Sequence, residues 1–469
     1  MRIEFLGAVR NVTGSRHLIH VNNSKVLLEC GMFHGHRLDA YERNKSFPFN
    51  PAEISAVVLS HAHIDHSGNL PILHAQGFNN NIYCTSATRD LCGIMLRDSA
   101  HIQERDVEYL RKKAAKTGEQ PLDPLYTMTD AEKVMRHFVG LGYHRRFWVA
   151  EGVEGMFYDA GHILGAAVVI LEIQEKGRKT RLAFTGDLGH PNMPILRDPE
   201  IVKAIDVLIT ESTYGNRVHD PAERMEEKFA DVVRRTVSRG GKIIVPAFSV
   251  GRTQNVVYLL HKLALAERIP HIPVFVDSPL SVNATEVFKM HAECYDEEAR
   301  RLLTRSGPNG LFGNGMGFEQ IQYIRDVEES KKLNDRKAPC VIISSSGMCE
   351  IGRILHHLKN NIEDERNTVM IVGFMAENTL GKRLVDHERR VKILGEKFDV
   401  NAEVVVFNAL SAHADKNDLL DYFKAVDGHI RKAFIVHGAE DQSLALADHM
   451  RGLAIEEVIV PELGEGFEV

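Results

Sequence analysis

The chain has 469 residues, a net charge of −7, and 44% hydrophobic and 26% charged residues, the composition of an ordinary soluble globular protein. That length suits two or three domains, and no apolar run reaches the roughly 18 residues needed to span a bilayer. Its six cysteines form no CxxC pair, which argues against a disulfide scaffold and against a cysteine zinc site. We expect a cytoplasmic protein with no membrane partner, in which nucleic-acid binding needs a local basic cleft or a metal.

Residues 1–214 alternate short β-rich runs with glycine turns. Helical patterns occur at about 66–76 and 88–115, and buried strands are predicted at 25–31, 54–63, 81–88, 166–173, 180–189 and 205–213. The strand patterns end in polar loops that carry metal-ligand side chains. This arrangement predicts a layered α/β fold with its functional residues along one edge.

From about residue 220 the pattern becomes a regular alternation of helices and strands, which is typical of a parallel sheet. Helices are predicted at 225–241, 251–267 and 352–362, and strands at 242–248, 272–279, 338–347 and 367–374. Strands at 402–415 and 432–439 again end in loops with histidine. The simplest organisation is one α/β domain inserted into another, with boundaries at 1–214, 215–385 and 386–469.

The segment "SHAHIDHSG" (60–68) is the densest group of metal-ligand residues in the chain. Within six positions it contains His61, His63, Asp65 and His66. The first two histidines are two residues apart, so in a turning loop both can bind one ion, while Asp65 and His66 face a neighbouring position. Zinc takes imidazole and carboxylate ligands in a tetrahedral site, so each ion needs further ligands from elsewhere in the chain.

Three residues in similar contexts can complete the two sites. His162 lies in the glycine-flanked turn "YDAGHILGA", Asp187 follows a strand in "AFTGDLG", and His437 follows one in "AFIVHGA". The predicted ligands of metal one are His61, His63, His162 and Asp187, and those of metal two are Asp65, His66, Asp187 and His437. Asp187 would bridge two zinc ions that lie about 3.5–4 Å apart. Manganese is the alternative metal.

This constellation resembles the metallo-β-lactamase superfamily. The segments "ESTYG", "LSAHAD" and "FIVHG" resemble its β-CASP branch of nucleases, as do "PAFSVGRTQ" (246–254), "VDSPL" (276–280) and "SSSGMCEIGR" (344–353). The resemblance implies an α/β fold class, with a metallo-β-lactamase αββα sandwich and an inserted β-CASP α/β domain. Among family members the chain is most similar to the compact bacterial type, related to RNase J and to the endonuclease of mRNA 3′-end cleavage.

The resemblance also implies roles for single residues. The first family motif is usually an aspartate before Cys-Gly, and here it is Glu29 in "LLECG", which would orient ligands or nearby backbone. The lettered motifs A, B and C fall on Glu211, His413 and His437. His413 is the expected general acid and Glu211 its partner, with Asp65 and Asp187 as the catalytic carboxylates at the metals.

Histidine in the last motif is the residue that RNA-processing members carry, whereas DNA-repair members carry valine. We therefore predict a zinc-dependent ribonuclease that hydrolyses phosphodiester bonds of single-stranded RNA in RNA processing or decay. An endonuclease is favoured over a 5′-exonuclease. The predicted phosphate contacts include Arg252, at the start of a predicted helix, and Ser411, two residues before His413. The loop of small residues Ser344, Ser345, Ser346 and Gly347 is also predicted to contact a phosphate.

Three alternatives remain at this point. A hydrolase of a small ester or thioester explains the metals, but neither the insert nor the pairing of His413 with Glu211. A DNA nuclease of the same family differs in substrate only, and a non-enzymatic scaffold is disfavoured because every metal-binding position is filled. The sequence leaves open whether the chain acts alone or as a homodimer.

Overall fold

The computed structural model of the chain describes residues 1–117, 122–219, 225–306, 312, 321–373, 375–376, 378–407, 411–426 and 429–469. Two compact units make up these residues. The first consists of Met1–Pro191, Asp198–Val218 and His413–Val469, and the second of Asn192–Arg197 and His219–Ala412. The second unit is therefore inserted into the first, as the change of pattern near residue 220 predicted.

The described part of the first unit is built on two seven-stranded sheets. The first sheet has the order β22 (Gly466–Glu468), β1 (Arg2–Phe5), β2 (His17–Val21), β3 (Ser24–Leu28), β4 (Ala56–Val58), β5 (Ile82–Thr85) and β6 (Phe138–Leu141). The second has the order β21 (Ile455–Ile459), β20 (Ile430–Ile435), β11 (Val207–Thr210), β10 (Arg178–Phe184), β9 (Ala167–Glu175), β8 (Val153–Asp159) and β7 (Phe147–Ala150).

An apolar cluster joins the facing sides of these sheets. Val26 and Val58 from the first sheet pack in one cluster with Phe157, Val169 and Ile209 from the second. Burial alternates along β8 with a period of two, because successive side chains of a strand point to opposite faces. Each such buried aliphatic or aromatic side chain stabilises the fold by about 1.5–3 kcal/mol.

Helices flank this sandwich. They are α1 (Arg37–Asn44), α2 (Ile64–Ser67), α3 (Leu70–Ala75), α4 (Ser86–Thr117), α5 (Met128–Val134), α13 (Lys416–Ala425) and α14 (Glu440–Met450). Helix α4 contacts β5 and β6 of the first sheet, and α14 contacts β20 and β21 of the second. The first unit thus has the layer order helix, sheet, sheet, helix that the resemblance implies.

The second unit contains a six-stranded sheet whose neighbouring strands are all parallel. Its order is β14 (Ile321–Tyr323), β13 (Val274–Val276), β15 (Val341–Ser344), β12 (Ile243–Pro246), β16 (Thr368–Ile371) and β19 (Glu403–Val406). A hairpin pairs β17 (Arg390–Ile393) with β18 (Glu396–Asp399). The helices are α6 (Met225–Ser238), α7 (Arg252–Leu265), α8 (Pro279–Met290), α9 (Glu297–Ser306), α10 (Val327–Asp335), α11 (Ile354–Asn361) and α12 (Leu380–Val385).

The compact second unit extends to Ala412. It includes β19, which pairs in parallel with β16 and so adds a strand to the inserted sheet. Hydrophobic periodicity identifies a buried strand but does not say which sheet it joins, because that choice depends on long-range pairing.

Candidate metal centre

The loops that carry the predicted ligands meet at one edge of the first unit. Asp187 follows β10, Glu211 follows β11 and His437 follows β20, three strands that run parallel to one another. Their carboxyl ends therefore lie at the same edge of the sheet. The histidine block after β4 and His162, in the turn between β8 and β9, reach the same place, because their ring nitrogens lie beside Asp187.

The first predicted ligand set forms a tight group. His63 Nδ1 lies 3.1 Å from His61 Nε2 and 3.2 Å from His162 Nε2. Asp187 Oδ2 lies 3.4 Å from His61 Nε2 and 3.6 Å from His162 Nε2. Zinc–nitrogen bonds of ~2.0–2.1 Å place tetrahedral ligand atoms about 3.3–3.4 Å apart. The four atoms therefore have the mutual spacing that one tetrahedral ion requires.

The second predicted set lies on the other side of Asp187. His66 Nε2 is 3.0 Å from His437 Nε2, and Asp65 Oδ2 is 3.4 Å from His437 Nε2 and 3.9 Å from His66 Nε2. Asp187 Oδ2 is also 3.4 Å from His66 Nε2. Asp187 is thus within ligand distance of histidines from both sets, the position expected of a shared carboxylate.

The protonation states of His61, His63 and Asp187 favour the binding of a metal cation. Burial lowers the pKa of His63 to about 4 and that of His61 well below its ordinary value, which keeps both rings in the neutral form that binds metals. Burial alone would raise the pKa of Asp187, but His437, His66 and His61 outweigh it and hold that pKa well below its usual range. Neutral imidazoles around an ionised carboxylate fit a zinc-type ion.

Glu29 contacts His66 on the Nδ1 side of the ring and is fully buried. Its carboxylate accepts hydrogen bonds from Ser60 N at 2.6 Å and Ser60 Oγ at 3.0 Å, and lies 2.6 Å from His66 Nδ1. A hydrogen bond at Nδ1 leaves Nε2 of His66 directed at the ligand cluster. Glu29 also has φ of 64°, the left-handed region that non-glycine residues seldom adopt, so its surroundings hold it in place.

The backbone supports of the histidine block could not be identified from the sequence. Cys30 N donates to His66 O at 2.8 Å and Ser15 N donates to Asp65 O at 2.8 Å. A Cβ added to Gly31 would lie 1.6 Å from the Asp65 carbonyl oxygen, so only glycine permits this close approach. The one sequence signal was the glycine that follows Glu29 and Cys30 in "LLECG".

His437 is held by two residues that the sequence patterns did not single out. Its backbone N donates to Ala8 O at 2.6 Å, and Thr213 Oγ1 lies 3.2 Å from its Nδ1. His437 also has a positive φ of 50°. The loop after β1 and the loop after β11 therefore set the direction of this imidazole.

His413 and Glu211 form a pair beside the metal ligands. His413 Nδ1 lies 3.2 Å and 3.3 Å from the two carboxylate oxygens of Glu211 and 3.9 Å from Asp187 Oδ2. Burial lowers the pKa of His413, but the Glu211 carboxylate outweighs it, and the pKa is raised to about 9. The His413 side chain is 21% exposed, whereas Glu211 is fully buried.

The predicted phosphate contacts in the described residues belong to the second unit. Arg252, Ser344, Gly347 and Ser411 are buried, so few of their atoms meet solvent. The hydroxyl of Ser344 donates to Asp277 O at 2.8 Å, Ser346 Oγ accepts from Glu350 N at 3.1 Å, and Ser345 Oγ donates to Ser278 Oγ at 2.9 Å.

Ser344 ends β15, and Ser345 and Ser346 follow it at the carboxyl edge of the parallel sheet. The chain leaves β12 through α7 and passes β15 to reach β13, whereas it leaves β15 through α11 and passes β12 to reach β16. Ligands of open α/β sheets bind outside the carboxyl ends of the strands, which is the edge where these serines lie. Phe248, directly after β12, is 41% exposed and packs against Gly347, where an added Cβ would lie 2.9 Å from the ring. The sequence did not single out Phe248.

Three family models match the chain. Residues 14–224 match the metallo-β-lactamase superfamily, residues 253–384 match the β-CASP domain, and residues 397–461 match the Zn-dependent metallo-hydrolase RNA specificity domain. Ribonuclease TTHA0252 from Thermus thermophilus is 33% identical over 470 residues, covering 100% of both chains. The chain belongs to the β-CASP family of the metallo-β-lactamase superfamily.

Other proteins resemble this β-CASP protein over most of its length. An RNase J-like protein from Methanocaldococcus jannaschii is 29% identical over 95% of this chain and 94% of its own. Transcription termination factor FttA from Methanosarcina mazei is 30% identical over 95% of this chain and 68% of its own. A protein of unknown function from Enterococcus faecalis shares the fold, with a TM-score of 0.56 at 13% identity over 99% of both chains.

The family and the fold predicted from the sequence are therefore confirmed, including the β-CASP domain inserted into the metallo-β-lactamase domain. This β-CASP protein is a metal-dependent hydrolase with a His/Asp metal site of the zinc type. Among the residues that the structure describes, no helix is both long and apolar enough to cross a membrane.

Proposed function

We propose that this β-CASP protein is a zinc-dependent ribonuclease that cuts single-stranded RNA. The observation that carries the proposal is the position of the His413–Glu211 pair beside Asp187, whose Oδ2 lies 3.4 Å from both His61 Nε2 and His66 Nε2. The RNA specificity domain at residues 397–461 and the full-length similarity to a ribonuclease support RNA as the substrate. A hydrolase of small esters has no need of a general acid for a ribose leaving group.

We propose that the two ligand sets would hold two zinc ions and that Asp187 would be a ligand in both sets. The 3.4 Å distances from Asp187 Oδ2 to His61 Nε2 and to His66 Nε2 support a carboxylate that serves both. Zinc in such a site lowers the pKa of water and neutralises charge on a phosphoryl oxygen. The protein supplies the neutral imidazoles of His61 and His63 and the ionised carboxylates of Asp65 and Asp187.

His413 is proposed as the general acid. Its Nδ1 is bonded to Glu211, so the proton that it transfers is on Nε2. In hydrolysis the water oxygen bonds to phosphorus and gives up one proton to the carboxylate of Asp65 or Asp187. The bond from phosphorus to the leaving ribose oxygen breaks, and that oxygen takes the His413 proton. Glu211 stabilises the charged imidazole before transfer and holds the pKa of His413 raised, at about 9.

RNA binding is proposed at the carboxyl ends of β12 and β15 in the second unit. Ser345 and Ser346 are partly exposed there and offer hydroxyl groups to a phosphate. The buried guanidinium of Arg252, the first residue of α7, adds positive potential, and Ser344 and Gly347 shape the loop after β15. Ser411 is proposed as a separate phosphate contact. The exposed ring of Phe248 suits a stacked base, a contact that tolerates any sequence.

Replacing Phe248 with alanine should weaken binding of single-stranded RNA by about 1–3 kcal/mol, because the stacked base loses its platform. The KM for RNA should rise, while the rate of hydrolysis of a p-nitrophenyl phosphodiester, which has no base, should stay unchanged. Fluorescence anisotropy with labelled RNA measures the affinity. Leu265→Ala, which removes another exposed apolar side chain of the same unit, is the matched control. Equal affinity for Phe248→Ala and wild type contradicts the stacking role.

Replacing Glu29 with glutamine should lower zinc affinity by about 10–100-fold, because the charge that orients His66 is lost. The amide keeps the size of the side chain and one acceptor for Ser60, so the fold should persist. Competition with a chromophoric chelator measures the affinity. Glu53→Gln, at an exposed ion pair with Lys25 in the same unit, is the control. Unchanged zinc affinity in Glu29→Gln would show that the carboxylate has no orienting role.

The function itself is tested with the zinc-loaded wild-type protein on labelled RNA, labelled DNA and a panel of thioesters and lactones. Cleavage of RNA is the expected result. A folded, zinc-loaded sample that spares RNA and hydrolyses a panel ester would refute the ribonuclease proposal, and one that prefers DNA would assign the chain to the DNA nucleases. Comparing 5′-monophosphate with 5′-blocked RNA separates the two modes, since an endonuclease cuts both equally.

A further inference from the structure

Two residues outside the metal centre, His190 and Asp418, connect the loop that carries His413 to the loop that follows Asp187, and the contacts form a closed ring. Backbone contacts make up one side of this ring. Gly189 and His413 form an antiparallel β-bridge, and Ala414 N donates to Leu188 O at 2.8 Å. The loop after Asp187 and the loop of His413 are thereby paired along their backbones.

Gly189 allows this pairing to sit close to the metal ligands. A Cβ at this position would lie 2.1 Å from Gly161 O and 2.8 Å from His162 N. The backbones of the three loops that carry His162, Asp187 and His413 are therefore in direct contact. Any shift of the His413 loop changes the position of its imidazole relative to the ligands.

The other side of the ring is the first turn of α13. Asp415 caps this helix by accepting hydrogen bonds from Asn417 N at 2.7 Å and Asp418 N at 3.0 Å. Asp418 Oδ2 accepts in return from Asp415 N at 2.9 Å, which completes a capping box. The start of α13 at Lys416, three residues after His413, is thus defined by the carboxylate of Asp418.

His190 joins the two sides. Its Nδ1 lies 2.6 Å from the same Asp418 Oδ2 that receives Asp415 N, and the two side chains are only 14% and 20% exposed. Low exposure strengthens an imidazole–carboxylate hydrogen bond relative to one in water. The contacts form a closed path through Gly189, His190, Asp418, Asp415 and His413.

We propose that His190 and Asp418 are a positioning pair that holds the His413 imidazole in register with Asp187 for proton transfer. The inference rests on the proposed function, in which His413 is the general acid. A misplacement of about 1 Å in a reacting group costs up to ~100-fold in rate, so a link of this kind has a measurable effect. The pair acts through the loop, and the proton itself comes from His413.

The test uses His190→Ala in the full-length, zinc-loaded protein. The kcat for RNA should fall by about 10–100-fold, with KM and zinc content unchanged. Hydrolysis of bis(p-nitrophenyl) phosphate should change little, because p-nitrophenolate is a weak base that leaves without a proton. His190→Asn should restore most of the RNA activity, since its Nδ2 can donate to Asp418 from nearly the position of Nδ1.

Two further variants keep the outcome decisive. Asp418→Asn retains an acceptor for the helix cap but loses the charge, and should show the same difference between the two substrates. His291→Ala removes a histidine 2.7 Å from Glu293 in the second unit and should behave as the wild type. Equal losses on both substrates, loss of zinc, or wild-type activity in His190→Ala would each overturn the positioning role. A wild-type protein that cleaves no RNA would instead overturn the proposed function, and the positioning role with it.

Discussion

Replacing Asp187 with asparagine should abolish RNA cleavage and reduce the bound zinc. This carboxylate lies 3.4–3.6 Å from ring nitrogens of His61, His66 and His162, and an amide offers one neutral acceptor in place of the shared negative charge. Loss of a supporting contact around a metal costs ~10–100-fold in affinity, and loss of the shared ligand should cost more. Zinc content after dialysis and the rate of RNA cleavage measure the two effects.

The control for this prediction is Asp206→Asn. Asp206 lies in the same unit, and its carboxylate accepts from Arg181 N at 2.7 Å, away from the ligand loops. It should keep both zinc and activity, with at most a small loss of stability. An Asp187→Asn protein with the zinc content and cleavage rate of the wild type would contradict the shared-ligand role.

Replacing His413 with alanine should lower the rate of RNA cleavage by about 10²–10⁴-fold, the usual contribution of a general acid. Zinc content should be unchanged, because the two predicted ligand sets are complete without this imidazole, which forms a separate group with Asp187 and Glu211. The loss should be much smaller on bis(p-nitrophenyl) phosphate, whose leaving group needs no proton. Rates on both substrates and zinc analysis of the same preparation give the answer.

His449→Ala is the matched control, because this histidine is exposed on α14 of the same unit. It should retain the activity of the wild type on both substrates. Loss of zinc from His413→Ala would assign this histidine to the metal site and remove the general-acid role. An equal loss on the two substrates would point to a disturbed metal site rather than to a missing proton.

Much of the architecture follows from local patterns in the sequence. The runs that end at Leu28, Val58 and Phe184 each finish in three consecutive apolar residues, VLL, AVV and LAF, which predicts buried strand ends without knowledge of the rest of the chain. The change to helix–strand alternation near residue 220 likewise predicts the parallel sheet of the second unit. The end of that unit at Ala412 was not predictable, because β19 is assigned by its pairing with β16.

The types and order of the predicted metal ligands are properties of the sequence. His61, His63 and Asp65 are spaced two residues apart, and Asp187 and His437 each follow an apolar run, so chemistry and spacing predict them as ligands before any fold is known. The distances that divide them into two groups around Asp187 depend on where the ends of distant strands meet. The same holds for the supports of the site, since Gly31 against Asp65 and His190 against Asp418 are contacts between segments far apart in the chain. Residue type is local, whereas the geometry of a site arises from pairing and packing across the whole sandwich, which no short stretch of sequence encodes.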